Sequence, residues 1–239
     1  MGHDRFRSFV VTFKETDLWI GISGGRDVHR IPGFVLDQIK ELRWLLYEYG
    51  EKDDVFFSAL MPYTPKVTPP ALIERMFSYG RKADVGPMAS VAGLFAQEIG
   101  ERMMGEFGVD ECVVENGGDV YMDIDEPASV SIFAGSSPFS NLAVLEVDPV
   151  YSPLGICTSS GTVGHSYSSG CADAVTIACH EAGLADAFAT AFGNKVKRRE
   201  DIDRILEETG KEPEILHALA IIDDRLGLRG SFALRASDH

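Results

Sequence analysis

Asp186 and Thr190 stand four residues apart in the run Ala-Asp-Ala-Phe-Ala-Thr. On a helix that spacing puts a carboxylate and a hydroxyl on one face, about 6 Å apart along the axis. Both are hard oxygen donors. Mg²⁺ takes one or two such protein ligands and completes its shell with water and substrate phosphate. Taken alone, the pair is better explained as structure, with Asp186 capping its helix and Thr190 at a core edge.

Three further stretches could hold a ligand. In "ADVGPMASVAG", Pro87 suits the first position of a helix. The N–H groups of Met88, Ala89 and Ser90 would then point out of the helix start, where an anion is favoured. A Pro-initiated helix packed tightly on a sheet explains this segment better when it is read alone. In "VENGGDV", Asn116-Gly117 between β-type runs is a hairpin signal. Gly117 and Gly118 would also let backbone approach a flat or phosphorylated ligand.

The third stretch, "CTSSGTVGHSYSSGCADAVT", runs from Cys157 to Thr176 and is dense in Ser and Gly. It lacks the Gly-Lys-Ser/Thr ending of a P-loop. His165 is a candidate acid–base group. Cys157 or a Ser with His165 would give a nucleophile and base, although spacing assigns no third group to orient them. A loop this long inside a compact domain is usually functional or disordered.

These residues must be positioned by a mixed set of elements. "RSFVVTFKETDLWIGISG" reads as a hairpin turning at Glu15-Thr16-Asp17. "PGFVLDQIKELRWLLYEYG" reads as a helix, with Val35, Ile39, Leu42, Leu45 and Leu46 at helical spacing. Met61 to Pro70 is Pro-rich and cannot be helix interior. A short helix follows from Ala71 to about Tyr79. A longer one then buries Met88, Val91, Phe95, Ile99 and Met103 and turns Gln97, Glu98, Glu101 and Arg102 away. Strands follow in "ECVVENGGDVYMDIDEPASVSIFAG", "NLAVLEVD" and "DAVTIAC". Helices follow in "EAGLADAFATAFGN" and "REDIDRILEETG", and a closing hairpin turns near Asp223-Asp224. Without regular βαβ alternation, this order predicts an α+β fold of mixed or antiparallel sheets packed with helices, one domain over residues 1–239.

The 22 basic against 37 acidic residues give a net charge of −15. A nucleic-acid binder needs a basic stripe, and the one basic cluster, Lys195, Lys197, Arg198 and Arg199, is followed at once by Glu200 and Asp201. Cys112, Cys157, Cys171 and Cys179 form no C-x-x-C pair, which argues against a zinc ribbon and for reduced thiols in the cytoplasm. The N-terminus carries no signal-peptide pattern, and no apolar run reaches the length of a membrane span.

Taken together and in order, "GPMASVAG", "VENGGD", "CTSSGTVGHS" and "ADAFAT" resemble the ApbE superfamily, whose best-known activity is FAD:protein FMN transfer. The closer resemblance is to an uncharacterised cytosolic branch of it. The match covers most of the chain from about Ala83 onward. It implies an ApbE-like fold, with the possibility of an internal pseudo-duplication. It also implies Mg²⁺ on Asp186 and Thr190 with the Pro87 carbonyl nearby, and a flavin or related nucleotide against Asn116, Gly117, Gly118 and Asp119. With it, amides around Ser160, Gly161, Thr162 and Gly164 become expected phosphate contacts. The transferases carry Lys-Gly where this chain has Ser90-Val91. They carry His-x-x-Asp-Pro-x-Thr-Gly where it has "GHSYSSGCAD". A non-catalytic flavin or nucleotide sensor or assembly protein therefore stands as an alternative, beside the Cys/Ser–His hydrolase. A homodimer is the base-rate expectation for assembly.

Overall fold

The computed structural model describes residues 5–162 and 170–237. The chain opens with the hairpin β1 (Arg7–Phe13) and β2 (Thr16–Gly24). Its turn is tighter than expected. Phe13 pairs with Thr16, so only Lys14 and Glu15 lie between the strands, with Lys14 at φ 54°. Thr16 and Asp17 are therefore strand residues.

Helix α1 (Ile31–Gly50) buries Val35, Ile39, Leu42 and Leu46 on one stripe. The Pro-rich connection leads into α2 (Ala71–Ala83), a turn longer than expected, which stops where Asp84 turns left-handed. A 3₁₀ turn at Pro87–Ser90 then precedes α3 (Val91–Phe107).

Strands β3 (Val109–Asn116), β4 (Asp119–Asp123), β5 (Ala128–Ser131) and β6 (Ala143–Val147) follow. β7 (Leu154–Ser159) and β8 (Ala174–Cys179) flank the Ser/Gly stretch, so its first three residues are strand rather than loop. The chain closes with α4 (Ala182–Lys195), α5 (Asp201–Thr209), β9 (His217–Ile222), β10 (Arg225–Gly230) and β11 (Ala233–Ala236). The last hairpin turns at Asp223-Asp224, as expected, because Ile222 pairs with Arg225.

Eight strands form one antiparallel sheet in the order β1-β2-β3-β4-β7-β8-β9-β10, and β11-β6-β5 form a second. Side chains alternate across a strand. On β9, Ala218 and Ala220 join a core with the helices, while Leu219 and Ile221 join a core with the small sheet. The large sheet is thus the middle of three layers, and both of its faces are buried along these strands. This is the expected α+β architecture with antiparallel sheets.

Candidate functional site

α3 and α4 pack against each other on the helical face of the large sheet. Asp186 Oδ2 accepts the Gly93 N–H at 3.0 Å, so it caps the start of α3 and not its own helix. In return, Gln97 Oε1 on α3 accepts the Ala182 N–H at 2.9 Å, at the first residue of α4. Each helix satisfies an otherwise orphaned amide of the other. Gln97, expected to face away, is buried for this reason. The approach is close enough to need glycine: a Cβ on Gly93 would sit 2.4 Å from the Ala182 carbonyl oxygen. Asn116 Nδ2 donates to the Ala92 carbonyl at 3.0 Å and ties the end of β3 to the same helix start.

Two cavities adjoin this helix start and share the walls Phe57, Met88, Val91 and Ala92. The larger, about 700 Å³, is also lined by Asp84, Ala89, Asp119, Asp186, Thr190 and Lys195. The smaller, about 380 Å³, has Leu46, Tyr47 and Phe95 as further apolar walls and Glu15, Thr16, Arg43 and Asn116 as polar ones. Both fall in the size range of small-molecule sites.

Asp119, at the start of β4, is buried and accepts the Thr158 N–H of β7 at 3.2 Å. Burial pushes the carboxyls of both Asp119 and Asp186 above the usual carboxylate range, and the neighbouring Asp186 charge pushes Asp119 further. The Gly93 amide acts in the opposite direction on Asp186. The cation in the same lining, Lys195, pairs with Glu208 at 3.1 Å and lies over the Phe192 ring. Among the described residues, no group of three or more His, Cys, Asp or Glu is poised on a metal. The donor set here is the Asp119 and Asp186 carboxylates and the Thr190 hydroxyl, with the exposed Asp84 in the same lining.

The expected site residues separate into groups. Asp119, Asp186 and Thr190 share one lining with Met88 and Ala89, and Asn116 lies in the adjoining one. Ser90 is buried and its Oγ donates to the Pro87 carbonyl at 2.9 Å; neither residue is in a lining. The Ala89 N–H bonds the Gly86 carbonyl at 3.1 Å, so it does not point outward as the helix-start reading required. Gly117 and Gly118, at φ 65° and 101°, form the exposed tip of the β3–β4 hairpin, outside both linings. Gly161 and Thr162 are tied to the residues just before β8. The Gly161 N–H bonds the Ala172 carbonyl at 2.9 Å, and Thr162 Oγ1 donates to Asp173 at 2.9 Å. With Ser160 they too lie outside the linings. Gly164 and His165 fall outside the described residues.

Cys157 is fully buried and its thiol donates to the Ala182 carbonyl at 3.3 Å. Burial and the nearby Asp119 and Asp186 push that thiol well above its usual range. A thiol in this setting stays protonated and is inert as a nucleophile. The Cys157 form of the hydrolase reading therefore does not fit this structure.

A large antiparallel sheet with helices on one face and a small sheet on the other is a fold with solved members. The chain superposes on the flavinyl transferase ApbE of Pseudomonas stutzeri with a TM-score of 0.62 and 16% identity, over 99% of this chain and 96% of that one. The family described as "AbpE bacteria" matches residues 1–220, and the chain belongs to that family. Among its relatives is a UPF0280 protein of Methanothrix thermoacetophila, 41% identical over 193 residues and 80% of each chain. Another, from Methanocella arvoryzae, is 38% identical over 195 residues, 82% of this chain and 79% of its own.

Proposed function

We propose that this protein binds FAD or a related nucleoside diphosphate together with Mg²⁺ and carries out phosphoryl-type transfer or hydrolysis at the diphosphate. The observation that carries this reading is the Asp119–Asp186 pair. Two buried carboxylates enter one cavity lining, held toward the neutral form by burial, and among the described residues no Lys or Arg is bonded to either. Buried carboxylates without a counter-charge are costly, and a bound cation removes that cost.

The donors fit a hard divalent ion, with Asp186, Thr190 and Asp119 as the residues to hold it. When bound, Mg²⁺ screens phosphate charge and orients the reacting oxygens. The Gly93 and Thr158 amides fix the rotamers of the two carboxylates before ligand arrives. The apolar cavity beyond Met88 and Val91 shares walls with the acidic one and suits a ring system. The name of the Pseudomonas stutzeri neighbour points to the same ligand class. The four cysteines are unpaired, which suits a reducing, cytoplasmic setting.

Titration with FAD, with and without Mg²⁺, tests this, with product analysis for AMP. Mg²⁺-dependent AMP release that Asp186→Ala abolishes is the expected result. Tight binding without turnover would favour the sensor, a reading the Ser90-Val91 departure supports.

A further inference from the structure

β1 is the first strand of the large sheet, and among the described residues no strand pairs with its outer edge. Phe13 and Thr16 close a two-residue turn, so theirs is a hydrogen-bonded pair. Bonded and non-bonded pairs alternate along an antiparallel ladder. Arg7, Phe9, Val11 and Phe13 therefore use their backbone groups on β2. Ser8, Val10 and Thr12 point their N–H and C=O groups outward.

Natural sheets guard such an edge with charges, breaks in the strand or a covering element. The far edge of this sheet follows that rule. β10 carries Arg225 and Arg229, is interrupted by Gly227, and is tied to α5 by Arg225 on Asp203. β1 does not follow it: Ser8 to Phe13 is a run of six residues with no charge, Gly or Pro. Val11 and Leu18 are buried beneath the helices, so Val10 and Trp19, their strand neighbours, project from the opposite face. Those two are cross-strand partners, 59% and 37% exposed. The small sheet packs on β4, β7, β8 and β9 and leaves this pair uncovered.

Going beyond the function proposed above, we infer that β1 pairs with β1 of a second copy of this chain. The two strands run antiparallel across a two-fold axis at Val10 and join two large sheets into one. Val10 then faces the partner's Val10, Ser8 the partner's Thr12, Phe9 the partner's Val11, and Arg7 the partner's Phe13. Every residue of β1 has an opposite residue, and no like charges stand directly opposite. The outward groups of Ser8, Val10 and Thr12 meet one another in bonded pairs, whereas a slip of one residue sets them against groups already used on β2. A two-fold interface needs a patch that complements itself. The exposed Val10–Trp19 pair meets that need, because its own copy extends it into one apolar strip across the axis.

Size-exclusion chromatography with light scattering tests this on the full chain. The wild type is expected at twice the 26.1 kDa chain mass. Val10→Lys sets two ammonium groups against each other on the axis. It is expected at the single chain mass, with the far-UV circular dichroism of the wild type. The register has its own arm, in a Cys171→Ser background that removes the exposed thiol. Val10→Cys puts two Cα atoms about 5.5 Å apart, within disulfide range, and mild oxidation should link it into a dimer. Ser8→Cys should stay unlinked, because its copy lies about 13 Å away along the strands. A monomeric wild type overturns the proposal and leaves the edge to a strand from a different protein. A dimer that Val10→Lys leaves intact, or equal linking of Val10→Cys and Ser8→Cys, overturns it as well.

Discussion

Asp186 holds two roles through one side chain. It caps α3 through Gly93 and lines the acidic cavity. Its carboxyl and that of Asp119 are raised by burial, so the folded state takes up their protons more readily than the unfolded chain does. The stability linked to this pair is fully present below the ordinary carboxylate pKa and is lost as pH rises through the raised values. Metal-free protein is therefore expected to lose melting temperature between about pH 4, the unfolded carboxylate value, and pH 8. Mg²⁺ should restore it at pH 8, because the ligands bind metal when deprotonated. Asp186→Asn should flatten the slope and remove the Mg²⁺ response; an unchanged response in a melting scan would count against the site. His217 acts in the opposite sense. It is buried, stacked on Phe232, and desolvation lowers its pKa to about 4. Its linked stability is present above the unfolded histidine value and is lost as pH falls toward 4. Replacing it in His217→Gln should soften the acid limb below about pH 6.5 in pH-dependent denaturant melts.

The reciprocal caps make α3 and α4 one unit, and the pair sets the site geometry. Gly93→Ala would drive a Cβ into the Ala182 carbonyl and separate the helices. A loss of about 1–3 kcal/mol by urea denaturation is expected, as for other overpacked contacts. Gln97→Leu should cost about 1–2 kcal/mol in the same assay by orphaning the Ala182 amide. Neither effect is visible in the sequence. The stripe Val91, Phe95, Ile99 and Met103 gives the correct buried face, and Gln97 reads as polar and outward because the Ala182 amide it accepts from lies on another helix. Hairpins were legible because their signals are local: Asp223-Asp224 turns where expected, and the turn signalled by Asn116-Gly117 falls one residue on, at Gly117-Gly118 between the paired Asn116 and Asp119. β7 was not, because Cys157-Thr158-Ser159 shares the Ser/Gly-rich composition of the sequence that follows. Only pairing with β4 and β8 makes it a strand.

Across the whole molecule, the spacing of Asp186 and Thr190 read alone as structure, and the resemblance brought that pair and Asp119 forward as candidates. What joins them is the sheet order, which sets β4 beside β7 and lays α4 over β7 and β8. No local pattern encodes that neighbourhood. The same topology puts Thr16, Arg43 and Asn116, residues far apart in the chain, around one apolar cavity. The Ala89 amide, expected to hold phosphate, is used in a turn, so under the proposed function anion binding falls to a cation held by the carboxylates. The most direct test of the account is calorimetric titration of FAD into the protein with and without Mg²⁺, paired with Asp186→Ala. The account predicts that Mg²⁺ raises FAD affinity at least tenfold in the wild type and has no effect in the variant. Equal FAD affinity with and without Mg²⁺, unchanged by Asp186→Ala, would contradict it.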